Sequence, residues 1–169
     1  MRGGRPAPAT ALALAVVLAG CSASRIESGV FHSPKGYSVT IPDGGWRISP
    51  RGEADIELKR DAPPGGMLAD ATCQGRERSR TLSVLARHLT FGLTDRETLE
   101  SDSHPVDGRP AEHRVVRGLV DGTPVTVEAL VVQGERCIHD FLYVAPAANF
   151  ERGRKDFRAF VESLSRDER

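Results

Sequence analysis

Between residues 97 and 145 extended runs alternate with two-residue punctuation, Asp107-Gly108, Asp121-Gly122 and Gln133-Gly134. Asp-Gly between extended runs is a strong short-range hairpin signal, because both residues tolerate the positive φ that a tight hairpin turn needs. The segment is therefore predicted to be an antiparallel meander with strands at about 98–106, 111–120, 124–132 and 136–144. In the third run Val125, Val127, Ala129 and Val131 share one face, while Leu130 and Val132 share the other with Thr126 and Glu128. In the last, Cys137, Phe141 and Tyr143 oppose Ile138, Leu142 and Val144. Strands that are apolar on both faces need cover on both faces. With an aromatic content of 5% the core must be largely aliphatic.

Helices are the available cover. Leu82, Leu85, Ala86, Leu89 and Leu93 form one buried stripe and predict a helix over 81–91, with Ser79 or Thr81 able to cap its start and Gly92 to end it. His88 lies beside that stripe and reads as a helix-face histidine. A second helix is predicted over 150–164, where Phe157, Phe160, Val161 and Leu164 repeat at helical spacing, Phe150 extends the stripe and Asn149 can cap it. Gly153 weakens that helix by about 1 kcal/mol relative to alanine. Arg152, Arg154, Lys155 and Arg158 read as its solvated basic face. Earlier in the chain, short strands are expected at 30–33 and 37–41 around Pro34-Lys35-Gly36, at 46–48 and at 54–59, where Ala54, Ile56 and Leu58 alternate with charges. A turn cluster at 61–66 then precedes a strand at 67–73. The fold class that results is α+β: a single domain with one antiparallel sheet and helices on both faces, an α/β/α sandwich.

Ahead of this domain stand Arg2 and Arg5, an apolar run from Ala9 and then Leu18-Ala19-Gly20-Cys21. Basic residues, an apolar stretch and small residues are the parts of a secretory signal peptide. The apolar run is about ten residues, short of the roughly 20 that a spanning helix needs. Leu-Ala-Gly-Cys resembles the lipobox of bacterial lipoproteins, and the resemblance implies diacylation of Cys21, cleavage after Gly20 and acylation of the new amino terminus. Two or three acyl chains hold a protein stably on a membrane where one does not. The expected organisation is a signal peptide at 1–20, a lipidated tether at 21–29 and a folded domain at 30–166. The tether limits the domain's reach to roughly 28 Å from the bilayer. Ser22 after the acylated cysteine fits sorting to the outer membrane in a two-membrane bacterium.

The element order, with Tyr37-Ser38-Val39-Thr40-Ile41-Pro42 before Gly45-Trp46, Gly108-Arg109-Pro110-Ala111 opening the meander, and Phe141-Leu142-Tyr143-Val144-Ala145-Pro146 before a helix with Phe157 and Phe160, resembles the PsbP-like fold. Its members include the extrinsic photosystem II subunit, a Ran-binding nuclear-import factor and bacterial lipoproteins. The resemblance covers roughly residues 30–165 and implies a binding or assembly module. It carries over no functional residue.

Motifs for chemistry are lacking: the chain has no Gly-x-Ser-x-Gly elbow, His-Glu-x-x-His, phosphate loop or Cys-x-x-Cys. No catalytic residue, cofactor or metal is therefore assigned. Cys137 and His139 share a strand face and could begin a metal site or a thiol–imidazole pair, with His113 as a third ligand, but a histidine bonded within the sheet explains them more simply. Without residues 1–20 the chain has 149 residues with 21 basic and 23 acidic side chains, a net charge of about −2. Nucleic-acid binding would call for a basic face or stripe, which this balance does not supply. Once Cys21 is acylated, Cys73 and Cys137 remain, and both fall near predicted strand ends. In an exported domain they pair as a disulfide or stay as separate buried thiols; an even count favours the pair. The function expected is that of a non-catalytic envelope lipoprotein, held on the membrane through Cys21, which binds a protein partner or assembles a complex. Small-ligand or lipid binding is the alternative, ahead of an enzyme of unrecognised type.

Overall fold

The computed structural model describes residues 24–50, 52–75 and 80–166. The expected signal peptide, Cys21 and the possible cap Ser79 lie outside the described residues. In chain order the elements are β1 (Arg25–Glu27), β2 (Val30–Ser33), β3 (Tyr37–Thr40), β4 (Arg47–Ile48), β5 (Ile56–Asp61), β6 (Pro64–Thr72), α1 (Leu82–His88), β7 (Thr94–Ser103), β8 (Ala111–Val120), β9 (Thr123–Gln133), β10 (Ile138–Pro146), α2 (Phe150–Glu162) and β11 (Ser165–Arg166). They form a seven-stranded sheet in the order β4-β5-β6-β10-β9-β8-β7 and a four-stranded sheet in the order β1-β2-β3-β11.

The meander forms as the turn chemistry requires. Asp121 and Gly122 have φ of 49° and 76°, and Asp107 and Gly108 have 48° and 70°, the left-handed pairs that match the twist of hairpin strands. Val120 pairs Thr123 directly across the first of these turns. The first strand differs from expectation: β7 starts four residues earlier than the pattern suggests, and its register with β8 shifts at two places. Such bulges twist an edge strand and blunt its unpaired backbone.

Two features were not legible in the order of the elements. After the β4-β5-β6 hairpins the chain crosses by α1 to the far edge and returns strand by strand until β10 pairs with β6, from Ile138↔Thr72 to Val144↔Gly66. Strands β4 to β6 and the meander are thus one sheet. The second feature is the smaller sheet, which shares the work of covering the larger one. Ile56, Leu58, Met67, Ala69, Leu130, Phe141 and Tyr143 of the large sheet pack in one core with Phe31, Tyr37 and Val39 of the small sheet and with Phe157 and Phe160 of α2. Six strand spacings make a sheet roughly 29 Å wide, whereas a 13-residue helix is about 20 Å long. One helix could not cover that face.

On α1, Leu85 and Ala86 pack with Val131 and Ile138. At seven residues it is shorter than the 81–91 helix expected, because the chain turns at Thr90, whose hydroxyl donates to the Arg87 carbonyl at 3.0 Å. Leu93 instead packs with Val116, Val125 and Val127. The architecture is therefore mostly β, a single domain of antiparallel sheets and two helices.

Residues 25–27, expected within the tether, form β1 against β2, with Ile26 opposite Phe31. A tight turn at Ser28 and Gly29, with φ of 50° and 79°, closes this hairpin. Asn149 and Thr81 occupy the N-cap positions, but neither side chain makes a capping hydrogen bond. Gly153 has a packing role. A Cβ there would lie 2.4 Å from the Tyr143 hydroxyl and 2.9 Å from an Arg60 nitrogen, so only glycine lets α2 approach β10 this closely. Tyr143 is stacked against Phe150 and Phe157 and donates its hydroxyl to the Phe150 carbonyl at 3.0 Å.

Candidate functional site

The β6–β10 register sets Cys73 beside Cys137, and the two are bonded, with Cα atoms 4.0 Å apart. Cys137 is therefore no thiol partner for His139. His139 is buried, with its ring 5.0 Å from the Tyr37 ring in an edge arrangement. His113 does not join it. It sits on β8, with β9 between it and β10, so two strand spacings, roughly 10 Å, separate the backbones. Among the described residues no group of three or more His, Cys, Asp or Glu side chains is arranged to hold a metal ion.

His113 belongs to a different cluster, in a groove between the outer meander strands and α2. Inward-facing positions of β7, β8 and β9 bring Glu100, Asp102, His113 and Glu128 together, and α2 contributes Arg154. His113 Nε2 is 2.8 Å from a Glu128 oxygen, and its Nδ1 is 3.0 Å from Asp102. Arg154 donates to the second Glu128 oxygen at 3.0 Å and to Glu100 at 2.5 Å. His104 Nδ1 closes on the other Asp102 oxygen at 2.7 Å. The Glu128 side chain is 3% exposed, and burying a carboxylate is tolerable only because each oxygen has a partner. Arg154, read in the sequence as part of a solvated basic face, is 13% exposed and is the ion that neutralises this carboxylate. The available signal was Glu128 itself, an acid on the same strand face as Leu130 and Val132.

The cluster's electrostatics follow from this pairing. Burial disfavours the His113 imidazolium, but hydrogen bonds to Glu128 and Asp102 outweigh it and raise the pKa above the usual histidine value. Asp102 is lowered by its bonds from His113 and His104, and Glu100 by its bond from Arg154. Across the molecule, burial and the charge of Asp70 push Asp140 up to about 6.

The signs combine into an expected pH dependence. A histidine with a raised folded pKa stabilises fully below about 6.5 and loses that contribution as pH rises through the folded value. Asp140, also raised, costs stability once pH passes the ordinary aspartate value of about 3.9 towards 6. Asp102 and Glu100, lowered, stabilise above their ordinary values and lose this as pH falls through the folded ones. Urea midpoints should therefore peak near pH 5 and decline towards pH 8, and His113→Gln should flatten the alkaline side. A wild-type midpoint rising from pH 5 to 8 would contradict the assignment.

The groove holds a cavity of about 360 Å³. Val106, Leu130, Phe157 and Val161 form its buried apolar floor, and Glu100, His104, Arg158 and Glu162 are among its polar lining. Among the described residues the lining includes no Ser, Thr, Cys or Lys side chain. Both His113 nitrogens and both Glu128 oxygens are already engaged. The arrangement offers a shaped surface rather than an activated nucleophile. A second cluster ties the two sheets together: Asp55 accepts from the Tyr37 hydroxyl at 2.9 Å and the Ala71 amide at 3.1 Å, and pairs with Lys35 at 2.8 Å.

No protein-family model matches the sequence, and no curated protein matches it. Solved structures do. Cyanobacterial PsbP (CyanoP) from Synechocystis sp. PCC 6803 superposes with a TM-score of 0.60 at 14% identity, covering 88% of this chain and 98% of that one. LpqN, involved in cell envelope biogenesis of Mycobacterium tuberculosis, gives 0.61 at 13% identity over 78% and 83%. A protein from Bacteroides thetaiotaomicron gives 0.61 at 9% identity over 85% of this chain and 50% of that one. At these identities the likeness is one of fold. The domain therefore has a PsbP-like fold.

Proposed function

We propose that the protein is a membrane-anchored envelope lipoprotein that works as a non-catalytic binding or assembly module for a protein partner, with the groove beside α2 as its recognition surface. The observation that carries this is the groove's construction: an apolar floor under a charged rim, with the buried charges already paired among themselves. Such a surface can discriminate a partner by shape and rim charge. Its buried histidine and carboxylate, His113 and Glu128, are engaged with each other and with Asp102 and Arg154. LpqN, similar in fold, is involved in cell envelope biogenesis, which fits the same setting. Among the described residues no helix is long and apolar enough to cross a membrane; the resemblance of Leu18-Ala19-Gly20-Cys21 to a lipobox is what supports attachment through acyl chains on Cys21. A cavity of about 360 Å³ is at the small end of ligand pockets, and a small ligand or lipid is the second reading.

A photoreactive residue in place of Glu162, in cells making the full chain, tests this. A discrete protein adduct is expected, lost on Arg158→Glu and absent when the photoreactive residue replaces Val120. Cys21→Ser should leave an unprocessed precursor and abolish the adduct. A small-molecule mass added to the chain, with no protein adduct, would favour the second reading. A normally processed Cys21→Ser protein would refute the lipoprotein assignment.

A further inference from the structure

A second depression lies at the other edge of the large sheet, between β1 and β4. Its cavity is about 300 Å³, with Phe31 and Ile56 in its floor and Ile26, Ile48 and Pro50 among its lining. Ile26 and Ile48 are 48% and 42% exposed, so two large aliphatic side chains stand out beside one another on two edge strands. Among the described residues the basic side chains beside them are matched: Arg25 pairs with Glu27 at 3.2 Å, and Arg47 pairs with Asp61. Ser24 also lines this depression. Three residues before it comes Cys21, and three residues of extended chain reach at most about 11 Å. Because β1 is paired to β2, the tether beyond the folded domain is shorter than the sequence alone suggests.

We propose that this patch is a lipid-contact surface, on which the domain rests against the bilayer that holds its acyl chains. The proposal rests on the lipoprotein reading of Cys21. An anchor within about 11 Å forces some face at this edge against the membrane, and this edge carries exposed isoleucines with a charge-balanced surround. Contact is shallow. The unpaired backbone of edge strands cannot enter hydrocarbon without severe cost, so the Ile26 and Ile48 side chains reach the headgroup–acyl boundary while β1 and β4 stay outside it. With its flanking charges balanced, the patch needs no anionic lipid and its contact is insensitive to salt.

The orientation follows. The groove is built on β7, β8 and β9 at the opposite side of the sheet order from β4. Five strand spacings separate β4 from β8, through β5, β6, β10 and β9, which amounts to roughly 24 Å. Resting on the β4 edge presents the groove away from the bilayer, where a partner can reach it.

The test uses the lipidated mature chain in phosphatidylcholine vesicles, with an environment-sensitive fluorophore on Ile26→Cys, on Ile48→Cys and, as control, on Val120→Cys. At positions 26 and 48 a blue shift is expected, with loss of most emission to a lipid-borne quencher and no change on adding salt; the control should show neither. If the protein stays on the vesicles while both probes remain aqueous, the contact surface is refuted and the lipoprotein reading survives. If mass spectrometry finds Cys21 unacylated and the chain does not stay with the vesicles, the lipoprotein reading fails and takes the proposal with it.

Discussion

Phe160→Ala is expected to lower the unfolding free energy by about 3–5 kcal/mol. Phe160 is fully buried, and its ring meets Phe141 edge-on at a centroid separation of 5.7 Å. The loss has two parts: the transfer free energy of the removed ring and the cavity left behind. The cavity has little room to collapse, because α2 is held at both ends. Near its start the helix sits on Tyr143 across Gly153, and past its end the Ser163 hydroxyl accepts from the Thr40 amide at 2.8 Å while β11 pairs with β3. A small domain has a net stability of only about 5–15 kcal/mol, so this one truncation removes a large share of it. Denaturant unfolding of the oxidised protein measures it, and a midpoint within error of wild type would mean that α2 is not part of the core.

Loss of the Cys73–Cys137 bond should cost about 4 kcal/mol. The bond closes a loop with a sequence separation of 64, and the chain-entropy relation gives that figure for the freedom regained by the unfolded chain. The loop contains α1, β7, β8 and β9, so reduction frees the far half of the sheet in the unfolded state while leaving native contacts nearly unchanged. The unfolding midpoint in the presence of reductant and that of Cys73→Ser/Cys137→Ser should agree with one another and fall below that of the oxidised wild type measured without reductant. Thiol labelling of unfolded, unreduced protein should find neither cysteine reactive. Two reactive thiols would show that the bond does not form in the cell envelope.

The meander and its turns were legible because their determinants are local. Asp-Gly pairs fix tight turns within four residues, and the alternation of Val125 to Val132 states which strands need cover on two faces. The apolar stripe of α2 was legible for the same reason, as was the PsbP-like order of elements. The groove was not. Glu128 and Arg154 lie 26 residues apart on different elements, and an arginine on an amphipathic helix has the same local sequence signal whether it faces water or a buried carboxylate. Gly153 is similar: by propensity it is a weak point of α2, and only the approach of Tyr143 makes it necessary.

The sequence by itself determined the strands and turns of the meander, the two helices and the availability of two cysteines for one bond, since each depends on residue type and spacing within a few neighbours. Tertiary structure decided the pairing of β6 with β10, which places Cys73 against Cys137 and merges two runs of strands into one sheet. It also decided that a small sheet shares the cover with α2, and that His113 meets Glu128 rather than His139. Those outcomes depend on which long-range contacts bury the most apolar surface and leave the fewest buried charges unpaired, and no local stretch of the chain contains that information.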